Sequence, residues 1–449
     1  MSQTLFPNRR DFLRTGAALA GSCIALPTLI PRGALAAEGR PGANDRIGIG
    51  YIGAGRRAQQ LMDIPKEGQT VAVCDISLSR AEKIGNKLSC AFFQDYHRLL
   101  EQKAVDAVIV ATPDHWHALH TIHACQAGKD VYCEKPLSLT IREGRAMVAA
   151  ARKYKRIVQT GSQQRSMAPN RRGCEMIRNG AIGKVHTIIT SNLPSPWEAR
   201  LPGQPVPDGL DWDAWCGQTV AAPFNNDIFI SRSNPGWISL RPYSGGEMTG
   251  WGAHSLDQIQ CALGMDKSGP IEVWVEGEKF APPTYTEPGK IDDGNAQCAH
   301  PKVFFRYADG PVVKMERIFC TGRYGRNPKP NEGPDAGAIF VGEKGKITID
   351  RDFCNVEPAE LGNEPPGSVK LDECVEHMQN WFDCIRSRQL PVADVEIGHR
   401  STSICHLGNI GRWVGRKLTW DPVLETFPGD DEANRCLSRP MREGYQLPE

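Results

Sequence analysis

The chain has 449 residues, with 53 Lys and Arg against 52 Asp and Glu, so its formal net charge is +1. This balance argues against a general nucleic-acid-binding protein, and a hydrophobic content of 40% argues against a disordered chain. The length exceeds that of one typical domain about two- to threefold, so we expect two domains. No run reaches the roughly 18 to 20 uninterrupted apolar residues of a membrane-spanning helix, so we expect no membrane insertion after processing.

The N-terminus has the pattern of a bacterial export signal. The pair Arg9 and Arg10 is followed by a mildly apolar run over 15–30 and by small residues up to Ala36. This order is typical of a twin-arginine signal, which directs folded proteins to the export machinery. We therefore predict a signal peptide over 1–36 and a periplasmic or otherwise extracytoplasmic protein. The alternative is a chance arginine pair before an ordinary first helix.

A nucleotide-binding fingerprint follows the first strand-like run, 47–52. The next residues have the form G-x-G-x-x-A, with Gly53 and Gly55 as the glycines and Arg56 directly after them. The first glycine permits a tight turn, and the second lets backbone amides approach a pyrophosphate at a helix N-terminus. A second strand-like run ends at Asp75, whose carboxylate can bind ribose hydroxyls and would repel a 2′-phosphate. The pattern predicts NAD, with NADP less favoured; another ligand on a Rossmann-like domain is the alternative.

The alternation of helix and strand continues beyond the fingerprint. A helix predicted over 81–89 and a β-branched strand over 105–111 give the repeated strand, helix, strand order of a doubly wound parallel sheet. The composition shifts towards Trp, Pro and Asn after residue 162. We therefore predict a Rossmann domain over 44–162 and a second domain over 163–449.

Three further segments resemble the Gfo/Idh/MocA oxidoreductases. A short strand runs into Glu134 and Lys135 before a proline, and Thr112-Pro113 with the downstream His117 falls in the family's order, as does Ile182-Gly183-Lys184-Val185. In that family the Glu-Lys-Pro segment closes the cofactor domain and points its lysine at the nicotinamide and the substrate. The resemblance implies that the cofactor-binding residues are Gly53, Gly55, Arg56, Asp75, Thr112, Pro113, His117, Glu134 and Lys135.

Lys135 also has a chemical rationale of its own. A strand before it and a proline after it would hold its ammonium still, and a fixed cation beside a hydroxyl can share the hydroxyl proton as hydride leaves. The alternative is a surface lysine paired with Glu134 across a turn. With the fingerprint upstream, we favour the catalytic interpretation.

The second half predicts an α+β domain. Its strand-like runs and one late amphipathic helix lie over 185–191, 271–276, 302–307, 312–318, 342–349 and 373–386. We interpret 342–349 as a hairpin turn that enters a strand. The family resemblance implies a large, open, mostly antiparallel sheet that supports the substrate site and subunit contacts. The predicted fold class is thus α/β, a Rossmann domain plus this sheet domain, in a homo-oligomer.

A glycine-rich segment of the second half resembles the family's D-x-G-x-H-x-x-D stretch. It implies that His254 exchanges the proton of the reacting hydroxyl together with Lys135, and that Asp257 orients the histidine. The first aspartate of the stretch is replaced by Gly250. The ordinary dehydrogenase mechanism therefore needs a substitute acid, for which Glu247, Asp257 or a loop acid are the candidates.

Aromatic residues indicate a carbohydrate substrate. Five of the ten tryptophans lie within 55 residues of the second half, interleaved with polar side chains, and flat rings beside fixed polar groups suit sugar faces. The alternative is packing between the domains. We predict that Trp251 contacts substrate because it adjoins His254, and that Arg165, after the domain crossover, reaches the same site.

Three functions remain open. The first is an exported NAD(H)-dependent oxidoreductase that acts on a hydroxyl of a sugar, glycoside or cyclitol and holds its cofactor tightly. The second is a redox-neutral NAD-dependent glycoside hydrolase that oxidises, eliminates, adds water and reduces. The third is a non-catalytic sugar-binding paralogue. No metal is predicted, because the histidines of 115–123 lack the cysteine or carboxylate partners of a usual site.

Overall fold

The computed structural model describes residues 45–448, apart from 231–235, 279, 283, 288–300, 309, 319–333, 335, 364–366 and 375. The predicted signal peptide, 1–36, lies outside the described residues. No described helix combines the length and apolarity that crossing a bilayer requires.

A six-stranded parallel sheet forms the N-terminal half. Its strands are β1 (Ile47–Ile52), β2 (Gly68–Cys74), β3 (Ala91–Phe93), β4 (Ala107–Val110), β5 (Asp130–Cys133) and β6 (Val158–Thr160). The helices between them are α1 (Arg56–Gln60), α2 (Leu78–Leu88), α3 (Tyr96–Leu100), α4 (His117–Gln126) and α5 (Ile141–Lys153). Every residue of β1, β4 and β5 is buried, because a parallel sheet is covered on both faces.

The strand order is β3-β2-β1-β4-β5-β6, and all pairs are parallel. The direction of the order changes between β1 and β4, so a crevice opens beyond the carboxyl ends of these two strands. Gly53 directly follows β1, and Thr112 lies two residues beyond β4. The predicted doubly wound Rossmann sheet is confirmed.

An eight-stranded sheet forms the core of the second half. Its described strands are β7 (Val185–Asn192), β9 (Glu272–Glu276), β11 (Lys302–Arg306), β12 (Val312–Ile318), β13 (Ala338–Gly342), β14 (Lys346–Asp350), β15 (Phe353–Glu357) and β16 (Leu418–Thr419). The order is β15-β14-β13-β7-β12-β11-β9-β16, and only the β7–β12 pair is parallel. The predicted mostly antiparallel sheet is confirmed, including the hairpin in which Val341 pairs with Lys346.

Three helices cover one face of this sheet. They are α6 (Ala168–Arg178), α10 (Gly252–Leu263) and α12 (Val395–Val414). The other described helices of this half are α7 (Trp212–Cys216), α8 (Asn226–Phe229), α9 (Glu247–Gly250), α11 (His377–Ser387) and α13 (Asp431–Arg435). Ile177, Leu256 and Ile404 from these three helices share one core with Ile188 and Phe340 of the sheet. The long helix α12 is buried for most of its length, which explains its apolar and small residues.

The segment 193–243 crosses from the sheet domain to the nucleotide-binding domain. It carries the short strand β8 (Glu198–Ala199), which pairs with β10 (Thr284–Tyr285). Its backbone forms hydrogen bonds with the residues after β2. Leu78 N donates to Gly209 O at 3.0 Å, and Asp211 N donates to Ile76 O at 3.0 Å. The second domain therefore covers one end of the crevice.

The chain later returns to the Rossmann sheet. Trp381 and Phe382 of α11 lie in the same core cluster as Ile49 and Ile109, and Thr160 N donates to Ala393 O at 2.8 Å. Part of the predicted second domain thus completes the core of the first.

Two helix boundaries differ from the sequence expectations. The helix expected over 81–89 begins at Leu78, because Ser77 O already accepts from the amides of Arg80 and Ala81. The late helix begins at His377 rather than at residue 373, after the extended Glu376. Both differences concern helix ends, where capping by the backbone decides the boundary.

Candidate active site

A cleft of about 1410 Å³ lies at the carboxyl edge of the parallel sheet. It exceeds the roughly 300 to 1,000 Å³ of ordinary small-molecule sites, so it has room for a dinucleotide and a second ligand. The predicted site residues that line it are Gly53, Gly55, Arg56, Asp75, Thr112, Pro113, His117, Glu134, Lys135, Trp251 and His254. Residues that are distant in sequence thus share one cavity.

The two fingerprint glycines fit a dinucleotide for different reasons. Gly53 has φ +88°, and a Cβ there would lie 2.9 Å from Ala111 O, so the turn itself requires glycine. Gly55 has φ −70°, and a Cβ there would meet nothing within 4 Å. A side chain at residue 55 would therefore occupy open space in the cleft, where the pyrophosphate of NAD would approach the backbone of α1.

Asp75 is fixed at the end of β2. Its Oδ2 accepts from Ala54 N at 2.9 Å, and its Oδ1 accepts from Ser77 N at 2.9 Å. The Arg80 guanidinium lies 3.3 Å from both carboxylate oxygens. The carboxylate is therefore held in place while it lines the cleft, which is the arrangement needed to receive ribose hydroxyls.

Glu134 and Lys135 point to different partners. Glu134 forms an ion pair with Arg57 of α1 at 2.8 Å. Lys135 Nζ donates to the carbonyl oxygen of Gly250 at 3.0 Å. The lysine at the end of β5 therefore reaches the segment that carries His254, and it joins the two domains across the cleft.

His117 lies beneath the same region and is fully buried. Its Nδ1 lies 2.7 Å from Pro136 O and its Nε2 lies 2.9 Å from Thr112 O. Carbonyl oxygens only accept, so both ring nitrogens must carry a proton. Burial alone would lower the pKa of His117, but Cys133, the Asp114 carboxylate and the Pro136 carbonyl outweigh it and raise the pKa to about 10. His117 is thus a cationic clamp between two cleft loops.

His254 lies at the start of α10 with an arginine against it. Its Nε2 is 3.2 Å from an Arg351 Nη, and the Arg351 guanidinium lies 5.5 Å from the ring centroid of Trp251. A guanidinium only donates, so Nε2 of His254 is the acceptor in this arrangement. Burial lowers the pKa of Arg351. Arg351, which follows β14, was missed by the sequence analysis, because no local motif marks it.

Two predicted site residues lie outside the cleft lining. Arg165 and Asp257 form a buried ion pair, with Arg165 Nε at 2.8 and 3.0 Å from the carboxylate oxygens. Asp266 accepts another Arg165 bond at 2.9 Å, and Ser401 Oγ donates to Asp257 at 2.6 Å. The Asp257 carboxylate is directed at Arg165 and Ser401, and neither Arg165 nor Asp257 lines the cleft, so the expected roles of Arg165 at the substrate and of Asp257 beside His254 stay predictions. The pair holds α10 against the crossover and α12.

The tryptophans of the second half divide between two roles. Trp197, Trp212 and Trp215 are buried in one aromatic cluster, in which Trp212 stacks on Trp215 at 4.5 Å. Trp215, Trp237 and Trp251 border the cleft. Packing thus accounts for part of the set, as the alternative interpretation expected.

Three more aromatic side chains line the cleft, and the sequence analysis gave none of them a role in binding. Trp116 stacks on His120 with ring centroids 4.6 Å apart, and Tyr445 from the C-terminal segment meets Trp116 edge-on at 5.9 Å. All three line the cleft. Within the described ranges, no group of three or more His, Cys, Asp or Glu side chains is arranged to hold a metal ion.

Comparisons with known proteins agree with this geometry. Residues 47–162 match the model of an oxidoreductase family with an NAD-binding Rossmann fold, and residues 196–447 match the C-terminal alpha/beta domain of that oxidoreductase family. Myo-inositol 2-dehydrogenase of Thermotoga maritima is 34% identical over 154 residues, which are 33% of this chain and 46% of that protein.

Two further similarities extend the comparison. The 2,7-anhydro-N-acetylneuraminate hydratase of Mediterraneibacter gnavus is 30% identical over 235 residues, 52% of each chain, so this chain spans about half the length of the curated relatives it matches. A dehydrogenase from Bordetella pertussis, solved with NADH and UDP-GlcNAcA, has a TM-score of 0.57 at 17% identity and covers 84% of this chain and 99% of its own. Because both halves match their family models in order, the chain belongs to the Gfo/Idh/MocA family of NAD-binding oxidoreductases.

Proposed function

We propose that this protein is an exported oxidoreductase that removes hydride from a hydroxyl-bearing carbon of a sugar, glycoside or cyclitol and keeps its NAD bound between turnovers. The observation that carries the proposal is the bond from Lys135 Nζ to Gly250 O, which brings Lys135 and the His254 segment to one wall of the cleft. When bound, NAD⁺ supplies the hydride acceptor.

Residues of the chain would bind the cofactor and the substrate and accept the hydroxyl proton. Gly53, Gly55 and Asp75 would hold the dinucleotide, and Lys135 would take the hydroxyl proton, since a positioned amine can act as a general base. His254 would bind the same hydroxyl once substrate displaces Arg351 from its Nε2. We propose Trp251 as the apolar surface against the sugar ring.

The substrate class follows from the relatives and from the shape of the cleft. The Thermotoga maritima relative is a dehydrogenase of a cyclitol, and hydroxyl-rich rings suit a wall that combines Trp251 and Trp237 with Arg351. The tight hold on NAD is supported by the backbone bonds that tie residues 209 and 211 to the loop after Asp75.

A redox-neutral reaction is the second candidate. The Mediterraneibacter gnavus relative is a hydratase, which adds water rather than transferring electrons to a second substrate. The same Lys135 and His254 could serve transient oxidation followed by elimination, hydration and reduction, with no net change in NAD.

One experiment separates these candidates. The protein is purified as exported, its nucleotide is identified by mass spectrometry, and its absorbance is followed with a panel of free sugars, cyclitols and aryl glycosides. Lasting reduction of bound NAD supports the oxidoreductase, and glycoside cleavage without lasting reduction supports the redox-neutral enzyme. Failure to bind NAD at all would contradict both.

Export and assembly are separate parts of the proposal. Arg9 and Arg10 support a twin-arginine route, and exchange of both for lysine should retain the protein in the cytoplasm of an expression host, measured by cell fractionation.

A homo-oligomer is supported by the face of the large sheet that lies opposite the three helices. On this face Ile189 pairs with Ile339, and Trp274 stacks on Phe304 at 5.3 Å. Light scattering tests it; a monomer at micromolar concentration would contradict it.

A further inference from the structure

A carboxylate occupies the space beside Gly250. A Cβ placed on Gly250 would lie 2.8 Å from Oε2 and 3.8 Å from Cδ of Glu247, and the next residue, Ile238, would be 4.0 Å away. Position 250 corresponds to the first aspartate of the family's D-x-G-x-H-x-x-D stretch, which this sequence lacks. The structure thus puts a carboxyl oxygen where the side chain of residue 250 would begin.

The fold places Glu247 there by a single helical turn. Gly246 precedes it with φ +74°, and a Cβ on Gly246 would lie 2.6 Å from Pro196 N, so only glycine fits at the start of α9. Gly250 N and Trp251 N then donate to Gly246 O and Glu247 O, both at 2.9 Å. Residues three apart lie on one helix face, so the Glu247 side chain comes to rest against Gly250.

Gly250 connects this carboxylate with the lysine. Its carbonyl oxygen accepts from Lys135 Nζ at 3.0 Å, while its α-carbon faces Glu247. Gly250 belongs to the cleft wall, whereas Glu247 lies behind it. Burial raises the pKa of the neighbouring Asp114, and the Glu247 charge adds to this effect, so that charge acts on the floor of the cleft.

We propose that Glu247 is the positioning residue of the proton-transfer site, acting through Lys135 in place of a carboxylate at position 250. The inference rests on the proposed oxidoreductase function. During oxidation of the alcohol, the C–H bond would break with transfer of its hydride to bound NAD⁺, while the O–H proton would go to the neutral Lys135 amine. The resulting ammonium, which donates to Gly250 O beside the Glu247 carboxylate, would then release this proton to water, so a ketone and one proton would be the remaining products.

The test compares charge with shape at two positions. Glu247→Gln keeps the size and removes the charge, so the rate of bound NAD reduction should fall about 100-fold or more, with NAD affinity unchanged. The dependence of the rate on pH should also change, because the lost charge lies beside Gly250, whose carbonyl oxygen accepts from Lys135 Nζ, and acts on Asp114. A purely structural Glu247 would leave that pH profile in place.

A relocated carboxylate gives the decisive comparison. The double variant Glu247→Ala with Gly250→Asp should recover at least tenfold over Glu247→Ala, whereas Glu247→Ala with Gly250→Asn, of the same shape, should not. Equal recovery by Asp and Asn, or a Glu247→Gln enzyme within twofold of the parent with its pH profile intact, would overturn the inference alone. A parent protein that reduces no bound NAD with any sugar or cyclitol would overturn the proposed function, and this inference with it.

Discussion

Gly53 and Gly55 belong to one motif, but different structural constraints act on them. The first has φ +88° and a carbonyl 2.9 Å from its missing Cβ, so Gly53→Ala should lower stability by about 1 to 3 kcal/mol. Gly55→Val should leave thermal stability nearly unchanged, because its Cβ meets nothing within 4 Å. It should weaken NAD binding at least about tenfold, or 1.4 kcal/mol.

Calorimetry and nucleotide titration on the same preparations check the two glycines. Gly269, which does not line the cleft and whose added Cβ would meet no atom nearer than 3.9 Å, is a control position for NAD affinity. Unchanged NAD affinity in Gly55→Val would show that the dinucleotide does not approach α1 as inferred.

Lys135 is the residue on which the proposed chemistry depends. Lys135→Met removes the amine but keeps most of the side-chain length, so NAD reduction should fall about 10²- to 10⁴-fold while nucleotide remains bound. Lys87→Met, on the exposed side of α2, is the matched control. Stopped-flow absorbance of the bound cofactor measures the rate, and a Lys135→Met protein as fast as the control would refute the role.

At the scale of elements, His117 ties the loop after β4 to the turn after β5. Its pKa of about 10 lies above the ordinary value of 6.5, so the folded state binds this proton more tightly than the unfolded chain does. The stabilisation is fully present below about pH 6.5 and is lost as pH rises through about 10.

The melting temperature measured from pH 7 to pH 10 tests this clamp. The parent should lose more stability over that range than His117→Gln, which has no such proton to lose. Other groups titrate in both proteins, so the difference between them is the quantity of interest. Parallel curves would mean that His117 is neutral when folded.

The sequence predicted those elements whose signal is local. The fingerprint at Gly53 and the apolar strands predicted the Rossmann sheet, and Glu134-Lys135 predicted a turn that lies at the cleft. Arg351 could not be found in this way, since it reaches His254 only because the end of β14 lies beside the start of α10. The sequence analysis assigned Arg165 and Asp257 to the site, because spacing along the chain does not show that two opposite charges will pair with each other.

At the scale of the whole molecule, the two halves share a core. Trp381 of α11 is fully buried against the Rossmann cluster that includes Tyr51 and Tyr132. Trp381→Ala should therefore cost about 3 to 5 kcal/mol, and both sheets should melt together in one earlier transition. Leu390→Ala, 60% exposed, should change stability by less than about 0.5 kcal/mol.

Differential scanning calorimetry distinguishes these outcomes. Two separated transitions, with only the first moved by Trp381→Ala, would show that the halves fold independently. A variant as stable as Leu390→Ala would show that α11 does not complete the first core.

The most direct measurement follows one hydrogen atom. The purified protein, loaded with NAD⁺, is mixed with a sugar or cyclitol from the panel that carries deuterium on its hydroxyl-bearing carbons, and the nucleotide is released and weighed by mass spectrometry. We predict that one deuterium appears in the reduced nicotinamide of the parent and is nearly absent in Lys135→Met under the same conditions. Bound NAD that acquires no deuterium from any of these substrates, or a protein that binds no NAD, would contradict hydride transfer in this cleft.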